Sequence, residues 1–271
     1  MWVRFVMSGQ RLDALWNDKF RVYVRAAILG EIADDESNFE CTVRRLIDCR
    51  KIGFASGSQA INYITSHDVE KYRRERLYTM LRDFSEKEKR IKLAFVCLLT
   101  AVGIPMILAG EEFADQHDLF DPPGWVSQSG GKQIDPVKFS RLTDRSDPDQ
   151  PMRCRIFNYV ARLVKLRTSH DALALDDTDF IHVDFTDGKR VLVWKRGPCN
   201  DPVVAVANFS DFFTANPSSP RAEYRVPNWP ATPPGRQWRE ITQERSVPQE
   251  YVGREPIFPW EAKVYTLARE S

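Results

Sequence analysis

The sequence is poor in the features that define several protein classes. Its five cysteines are odd in number, lie far apart along 271 residues and include no CxxC pair: Cys41, Cys49, Cys97, Cys154 and Cys199. They therefore indicate neither a disulfide framework nor a zinc site, and they are typical of reduced thiols in a cytosolic protein. We predict that the protein carries no cofactor and no metal.

An excess of charge of either sign is also missing. Lysine and arginine total 39 against 38 aspartates and glutamates, so the net charge is +1. No long-range field would attract a nucleic acid or an anionic membrane, and a neutral, polar substrate fits better. No apolar stretch approaches the roughly 20 residues that span a bilayer, and the N-terminal apolar run is too broken for a secretory signal. We predict a cytoplasmic protein with no nucleic-acid and no membrane partner.

The first 171 residues have the pattern of an α/β protein. Residues 61–65 and 104–109 are short apolar runs typical of buried strands. Helices are predicted over residues 18–30, 72–84, 85–102 and 152–169. Asn17 or Asp18 would cap the first helix and Gly30 would end it, whereas Ser85 and Glu88 have the spacing of a capping box. Residues 113–150, rich in Asp, Pro, Gly and Ser, are predicted to form a long functional loop.

After about residue 171 the pattern changes to strands. Asp187-Gly188 separates FIHVDF from RVLVWKR, and PVVAVANF and segments around Tyr224, Trp238 and residues 262–267 follow. Asp-Gly between two such runs predicts a hairpin, because glycine accepts the positive φ of a tight turn. We therefore predict two domains, residues 1–171 and 172–271, the second a small antiparallel β-sandwich.

Polar residues follow both predicted buried strands. INYIT ends in Ser66-His67-Asp68, and IPMILA ends in Gly110-Glu111-Glu112. In a (β/α)₈ barrel, the residues that perform chemistry follow the C-terminal ends of the parallel strands, where the loops surround one mouth. Two successive strands with acids at the same end predict part of such a site.

These segments resemble the α-amylase family of glycoside hydrolases. INYITSHD is similar to the seventh barrel strand of that family, which ends in His-Asp, and GIPMILAGEEF resembles the eighth. WNDKFR, at residues 16–21, resembles the WNDRFRD segment of the isoamylase, pullulanase and glycogen-debranching branch. Order and spacing agree across residues 14–170. The resemblance implies the C-terminal part of a (β/α)₈ TIM barrel followed by a β-sandwich, and an α-glucan such as starch or glycogen as substrate.

The resemblance also implies roles for two residues. Asp68 corresponds to the third catalytic acid, which hydrogen-bonds sugar hydroxyls in the transition state, and His67 to the histidine that binds a hydroxyl beside it. A carboxylate that accepts these hydroxyl protons binds more strongly as positive charge develops on the sugar ring.

The two other acids of the family have no match. A retaining glycosidase needs a nucleophilic carboxylate and a general acid about 5 Å apart. The family places them after its fourth and fifth strands, and no acid among the first 60 residues follows a convincing strand in that context. We therefore expect these residues alone to be inactive. A non-catalytic glucan-binding or interaction module and an unproductive remnant of a gene are the alternatives.

Several other residues keep two interpretations. Glu111 and Glu112 would either contact substrate or order the barrel rim through arginine or backbone contacts. Trp125 would either stack on a sugar face or pack the long loop down. Asp115, His117 and Asp118 form an oxygen-rich segment without a diagnostic calcium-loop spacing, so a solvated loop is favoured over a metal site.

Overall fold

The computed structural model describes residues 12–69, 76–116, 136–214 and 222–270. The helices are α1 (Asp18–Leu29), α2 (Phe39–Ile47), α3 (Leu77–Met80), α4 (Lys87–Thr100) and α5 (Gln150–Ser169). The strands are β1 (Leu15–Asn17), β2 (Ala60–Tyr63), β3 (Ile104–Met106), β4 (Thr178–Asp184), β5 (Val191–Arg196), β6 (Val203–Asn208), β7 (Arg236–Glu240), β8 (Arg245–Ser246) and β9 (Ala262–Arg269). Among the described residues, no helix is both long and apolar enough to cross a membrane.

The first three strands form a parallel sheet in the order β1-β2-β3. Trp16 lies opposite Ile61, and Ile61 lies opposite Ile104. A chain of buried side-chain amides crosses this sheet: Asn17 Nδ2 donates to Asn62 Oδ1 at 2.8 Å. Asn62 Nδ2 in turn donates to the carbonyl of Val102 at 3.0 Å, just before β3. The three strands are therefore tied together by side chains as well as by backbone hydrogen bonds.

Helix α1 confirms its predicted ends. Asn17 Oδ1 accepts from the backbone N–H of Phe20 at 3.2 Å, as expected of an N-cap. Gly30 follows in the left-handed region with φ 78°, and its N–H binds the carbonyls of Ala26 and Ala27. Helix α5 starts two residues before the predicted Met152, with Pro151 in its first turn, where a missing N–H costs nothing.

The predictions for residues 72–102 need correction. Of the helix predicted over residues 72–84, the described part of the chain contains only α3, Leu77–Met80. Residues 70–75 are outside the described part. The Ser85–Glu88 capping box is wrong, because α4 begins at Lys87. Glu88 instead accepts from Lys92 at 2.6 Å and from Arg155 on α5 at 2.7 Å. Glu88 thus forms an ion pair with a neighbouring helix and does not cap its own helix.

The remaining six strands form one antiparallel sheet, in the order β4-β5-β6-β9-β7-β8. The predicted β4–β5 hairpin is confirmed, with Asp187 (φ 52°) and Gly188 (φ 78°) both left-handed in the turn. The predicted two-sheet sandwich is wrong for the described residues. One face of the sheet shares its hydrophobic core with the helices, and irregular segments that carry Tyr224 and Ile257 pack on the other. Both faces are thus covered without a second sheet.

Arginines on β5 and α5 donate hydrogen bonds to the C-terminal end of α4. The side chain of Arg196, on β5, donates to the carbonyls of Thr100, Leu173 and Leu175. Arg167, on α5, donates to the carbonyl of Ala101 at 2.9 Å. Burial lowers the pKa of Arg167 and of Arg196 to about 10. These guanidinium groups satisfy the carbonyls that a helix leaves free at its end and lie at the negative end of its dipole.

A network centred on Asp184 fastens one of the irregular segments to β4. Tyr224 donates its O–H to Asp184 at 2.9 Å, and the Thr186 hydroxyl donates to the same carboxylate at 2.7 Å. His182 Nε2 lies 2.8 Å from the Tyr224 oxygen. Burial raises the pKa of Asp184, but hydrogen bonds from Thr186, Tyr224 and Lys189 outweigh it and bring the pKa down to about 2.

Candidate functional site

His67 and Asp68 lie exposed just beyond β2. The residues before them, Thr65 and Ser66, are buried, so the chain reaches the surface only at His67. The side chains of His67 and Asp68 are 73% and 67% exposed, and His67 Nε2 lies 3.1 Å from Asp68 Oδ1. Imidazole and carboxylate thus form one polar group that can exchange hydrogen bonds with a hydroxylated ligand.

An aromatic pair borders this group. The Trp16 ring meets the His67 ring edge-on, with centroids 6.2 Å apart and an interplanar angle of 89°. On another side, Trp16 contacts Tyr63, with centroids 5.4 Å apart. Tyr63 is buried, and its hydroxyl donates to Asp18 Oδ1 at the start of α1. The end of β1 and the residues after β2 therefore meet in one cluster of Trp16, His67 and Asp68.

Glu111 opens a 3₁₀ turn, Glu111–Phe113, after β3, and its side chain is 2% exposed. Its carboxylate lies 3.6 Å from the Arg76 guanidinium and accepts from the backbone N–H of Leu77 at 3.3 Å. Arg76 also donates to the carbonyl of Ala109 at 3.0 Å. These contacts agree with the interpretation in which Glu111 orders the rim of the sheet through an arginine and a backbone amide.

Glu112 and Asp115 also make local contacts. Glu112 Oε2 accepts from the Gly110 N–H at 2.8 Å. Asp115 is buried, pairs with Arg141 and accepts from the backbone N–H of Lys138 at 3.3 Å. The predicted substrate contact of Glu112 stays a prediction. Trp125, like His117 and Asp118, lies outside the described residues.

No metal site emerges where the structure is described. Within residues 12–69, 76–116, 136–214 and 222–270, no three His, Cys, Asp or Glu side chains are grouped so as to hold a metal ion. The carboxylate of Asp115 is instead neutralised by an arginine. The His67–Asp68 group itself offers hydrogen bonding and charge stabilisation by side chains.

A charged groove of about 490 Å³ lies elsewhere, between α4, α5 and β9. Its lining includes Glu88, Lys92, Arg155 and Arg162, and no residue predicted as part of the site. The three basic side chains, Lys92, Arg155 and Arg162, already form ion pairs with carboxylates at 2.6 to 2.9 Å. We therefore place the candidate site at His67–Asp68 and not in this groove.

Sequence reasoning missed Trp16 as a neighbour of this site. The resemblance of WNDKFR to a segment of one branch of the α-amylase family implies no role for its tryptophan. Tryptophan at the last but one position of β1 was the available signal, because side chains near the C-terminal ends of parallel strands meet at one edge of the sheet.

Comparison with known proteins gives relatives both in sequence and in structure. A pullulanase of Bacillus subtilis (strain 168) is 28% identical over 174 residues, which are 63% of this chain and 22% of that protein. No protein-family model matches the chain. The sequence match therefore covers only a small part of the longer relative.

Solved structures match nearly the whole chain. A type I pullulanase from Bacillus subtilis, complexed with maltose, matches 94% of this chain and 35% of its own, with a TM-score of 0.62 and 17% identity. The catalytic module of a glycogen-degrading pneumococcal virulence factor matches 98% of this chain and 45% of its own, with a TM-score of 0.64 and 16% identity.

An Anoxybacillus α-amylase matches 99% of this chain and 50% of its own, with a TM-score of 0.59 and 18% identity. This chain thus spans half or less of each of these relatives. The resemblance that its motifs predict is confirmed: the chain has a fold found in pullulanases and α-amylases, members of the α-amylase family of glycoside hydrolases, and is related in sequence to a pullulanase.

Proposed function

We propose that this chain is part of a glycoside hydrolase that acts on α-glucans such as starch or glycogen, at α-1,4 or α-1,6 linkages. The observation that carries the proposal is the exposed His67–Asp68 group at the C-terminal end of a parallel strand. Two of the matching structures support the same substrate class: one is a pullulanase complexed with maltose, and the other is the glycogen-degrading pneumococcal protein.

Asp68 would act by accepting hydrogen bonds from sugar hydroxyls. As the bond to the leaving group breaks, positive charge develops on the ring, the hydroxyls become better donors, and their hydrogen bonds to the carboxylate strengthen. His67 would hold a neighbouring hydroxyl. Both contributions stabilise the transition state and neither breaks the bond, which needs a nucleophile and a general acid.

We also propose that the parallel sheet is part of a (β/α)₈ barrel, because both of its edge strands have an open edge in the described residues. In the described residues, β1 and β3 each pair only with β2, so each leaves a strand edge that a further strand can pair with. Ile104 on β3 is 44% exposed. Phe157 and Val164 on α5 line an apolar groove of about 350 Å³ beside Ile107. These features support residues 1–171 as part of a (β/α)₈ barrel that further strands complete, with residues 172–271 as a second domain.

The proposal predicts that the 271 residues alone are inactive. The test is to incubate the purified chain with glycogen, starch and pullulan and to measure new reducing ends. We expect no turnover above that of buffer. Sustained turnover that Asp68→Ala abolishes, and that Ala in place of the exposed Asp34 leaves unchanged, would contradict the expected inactivity.

A glucan-binding module without catalysis is the second candidate. The exposure of His67 and Asp68 favours it, since both can hydrogen-bond a sugar without cleaving it. Sedimentation with insoluble starch tests this binding: retention of the wild-type chain and release of Asp68→Ala would support it, and no retention of the wild-type chain would contradict it. A cytoplasmic location, and the absence of nucleic-acid and membrane partners, remain predictions from composition.

A further inference from the structure

Trp16 is exposed and lies beside the His67–Asp68 group. Its side chain is 42% exposed, whereas Trp194, Trp238 and Trp260 are buried. An exposed tryptophan next to polar groups is typical of a contact surface for a ligand.

The Trp16 ring contacts two neighbouring rings. Tyr63 is 2% exposed, lies 5.4 Å from Trp16 between ring centroids, and is anchored by its hydrogen bond to Asp18. His67 meets the indole at a right angle. The tryptophan therefore packs against a buried ring and lies at a right angle to the imidazole.

A glucose ring matches this arrangement chemically. It has apolar faces of C–H groups and a rim of hydroxyls, and binding sites for such ligands join an aromatic surface to a few placed polar groups. Here the aromatic surface is Trp16, and the polar groups are His67 Nε2 and the carboxylate of Asp68, 3.1 Å apart.

We propose that Trp16 is a sugar-binding residue, which stacks against a glucosyl unit whose hydroxyls contact His67 and Asp68. This inference rests on the proposed function, because it takes the α-glucan as ligand. It adds a binding residue on a different strand from the His-Asp pair.

The test is maltotriose binding to the whole chain, followed by isothermal titration calorimetry and by tryptophan fluorescence. Trp16→Phe keeps an aromatic face, and Trp16→Leu keeps apolar bulk without one. We expect Trp16→Phe to bind within about threefold of wild type and Trp16→Leu to bind about tenfold more weakly, as a stacking contribution of about 1.4 kcal/mol gives. Thermal unfolding of both variants shows that they are folded.

Asp68→Asn separates the two proposals. It should also weaken binding, since an amide replaces one carboxylate oxygen. If Asp68→Asn weakens binding and Trp16→Leu binds like wild type, the stacking role of Trp16 is wrong and the proposed function stands. If Trp16→Leu weakens binding but Asp68→Asn does not, Trp16 binds sugar and the role given to Asp68 is wrong. No binding by the wild-type chain up to about 20 mM maltotriose contradicts both.

Discussion

Asn62 gives the sharpest test of how the parallel sheet is held together. Its side chain is 1% exposed and makes two buried hydrogen bonds, accepting from Asn17 at 2.8 Å and donating to the Val102 carbonyl at 3.0 Å. Asn62→Ala removes both bonds, each worth about 1 kcal/mol. It also leaves the Asn17 amide and the Val102 carbonyl unsatisfied, at about 1 kcal/mol or more in total. We expect a loss of about 3 kcal/mol in the free energy of unfolding.

Urea unfolding followed by circular dichroism measures this loss. Asn158→Ala, on the exposed face of α5, is the control and should change stability by less than about 0.5 kcal/mol. Because Asn17 and Asn62 share one bond, the double alanine variant should lose less than the sum of the single losses. A loss below about 1 kcal/mol for Asn62→Ala, or strict additivity of the pair, would refute the view that these amides tie the strands together.

Three further predictions concern backbone space, pH and the junction with the second sheet. Gly103→Ala should destabilise the protein by more than about 3 kcal/mol, because a Cβ there would lie 2.2 Å from Asn62 Nδ2. Gly53→Ala is the control: Gly53 is also at positive φ but in open space, so the change should cost about 1 kcal/mol in thermal unfolding. The pKa of Asp184 is lowered in the folded protein, so the ionised carboxylate stabilises the fold above the unfolded pKa near 4, and this stabilisation is lost as pH falls toward about 2. Asp184→Asn should therefore flatten the pH dependence of the free energy of unfolding between these values. An unchanged slope would contradict this. Arg196→Met should cost about 3 kcal/mol in urea unfolding, since several buried carbonyls lose their donor, while Ala at the exposed Arg239 should cost little.

Local sequence patterns predicted the elements whose causes are local. The apolar stripe of α5, the Asn17 cap and Gly30 end of α1, and the hairpin at Asp187 depend on side chains within a few residues of one another. The capping box failed for the opposite reason. Glu88 pairs with Arg155 on another helix, 67 residues away in the sequence, and a local sequence window cannot show such a partner.

Sequence patterns are enough to predict that acids and a histidine follow short apolar strands, and that the later part of the chain is antiparallel β structure. The three-dimensional contacts are needed to show that Glu111 is buried beside Arg76 while His67 and Asp68 are exposed. The same contacts show that Trp16 lies against His67, and that the antiparallel sheet shares a core with the helices. Burial, contact and charge pairing depend on which surfaces meet in space, and residues far apart in the chain supply those surfaces.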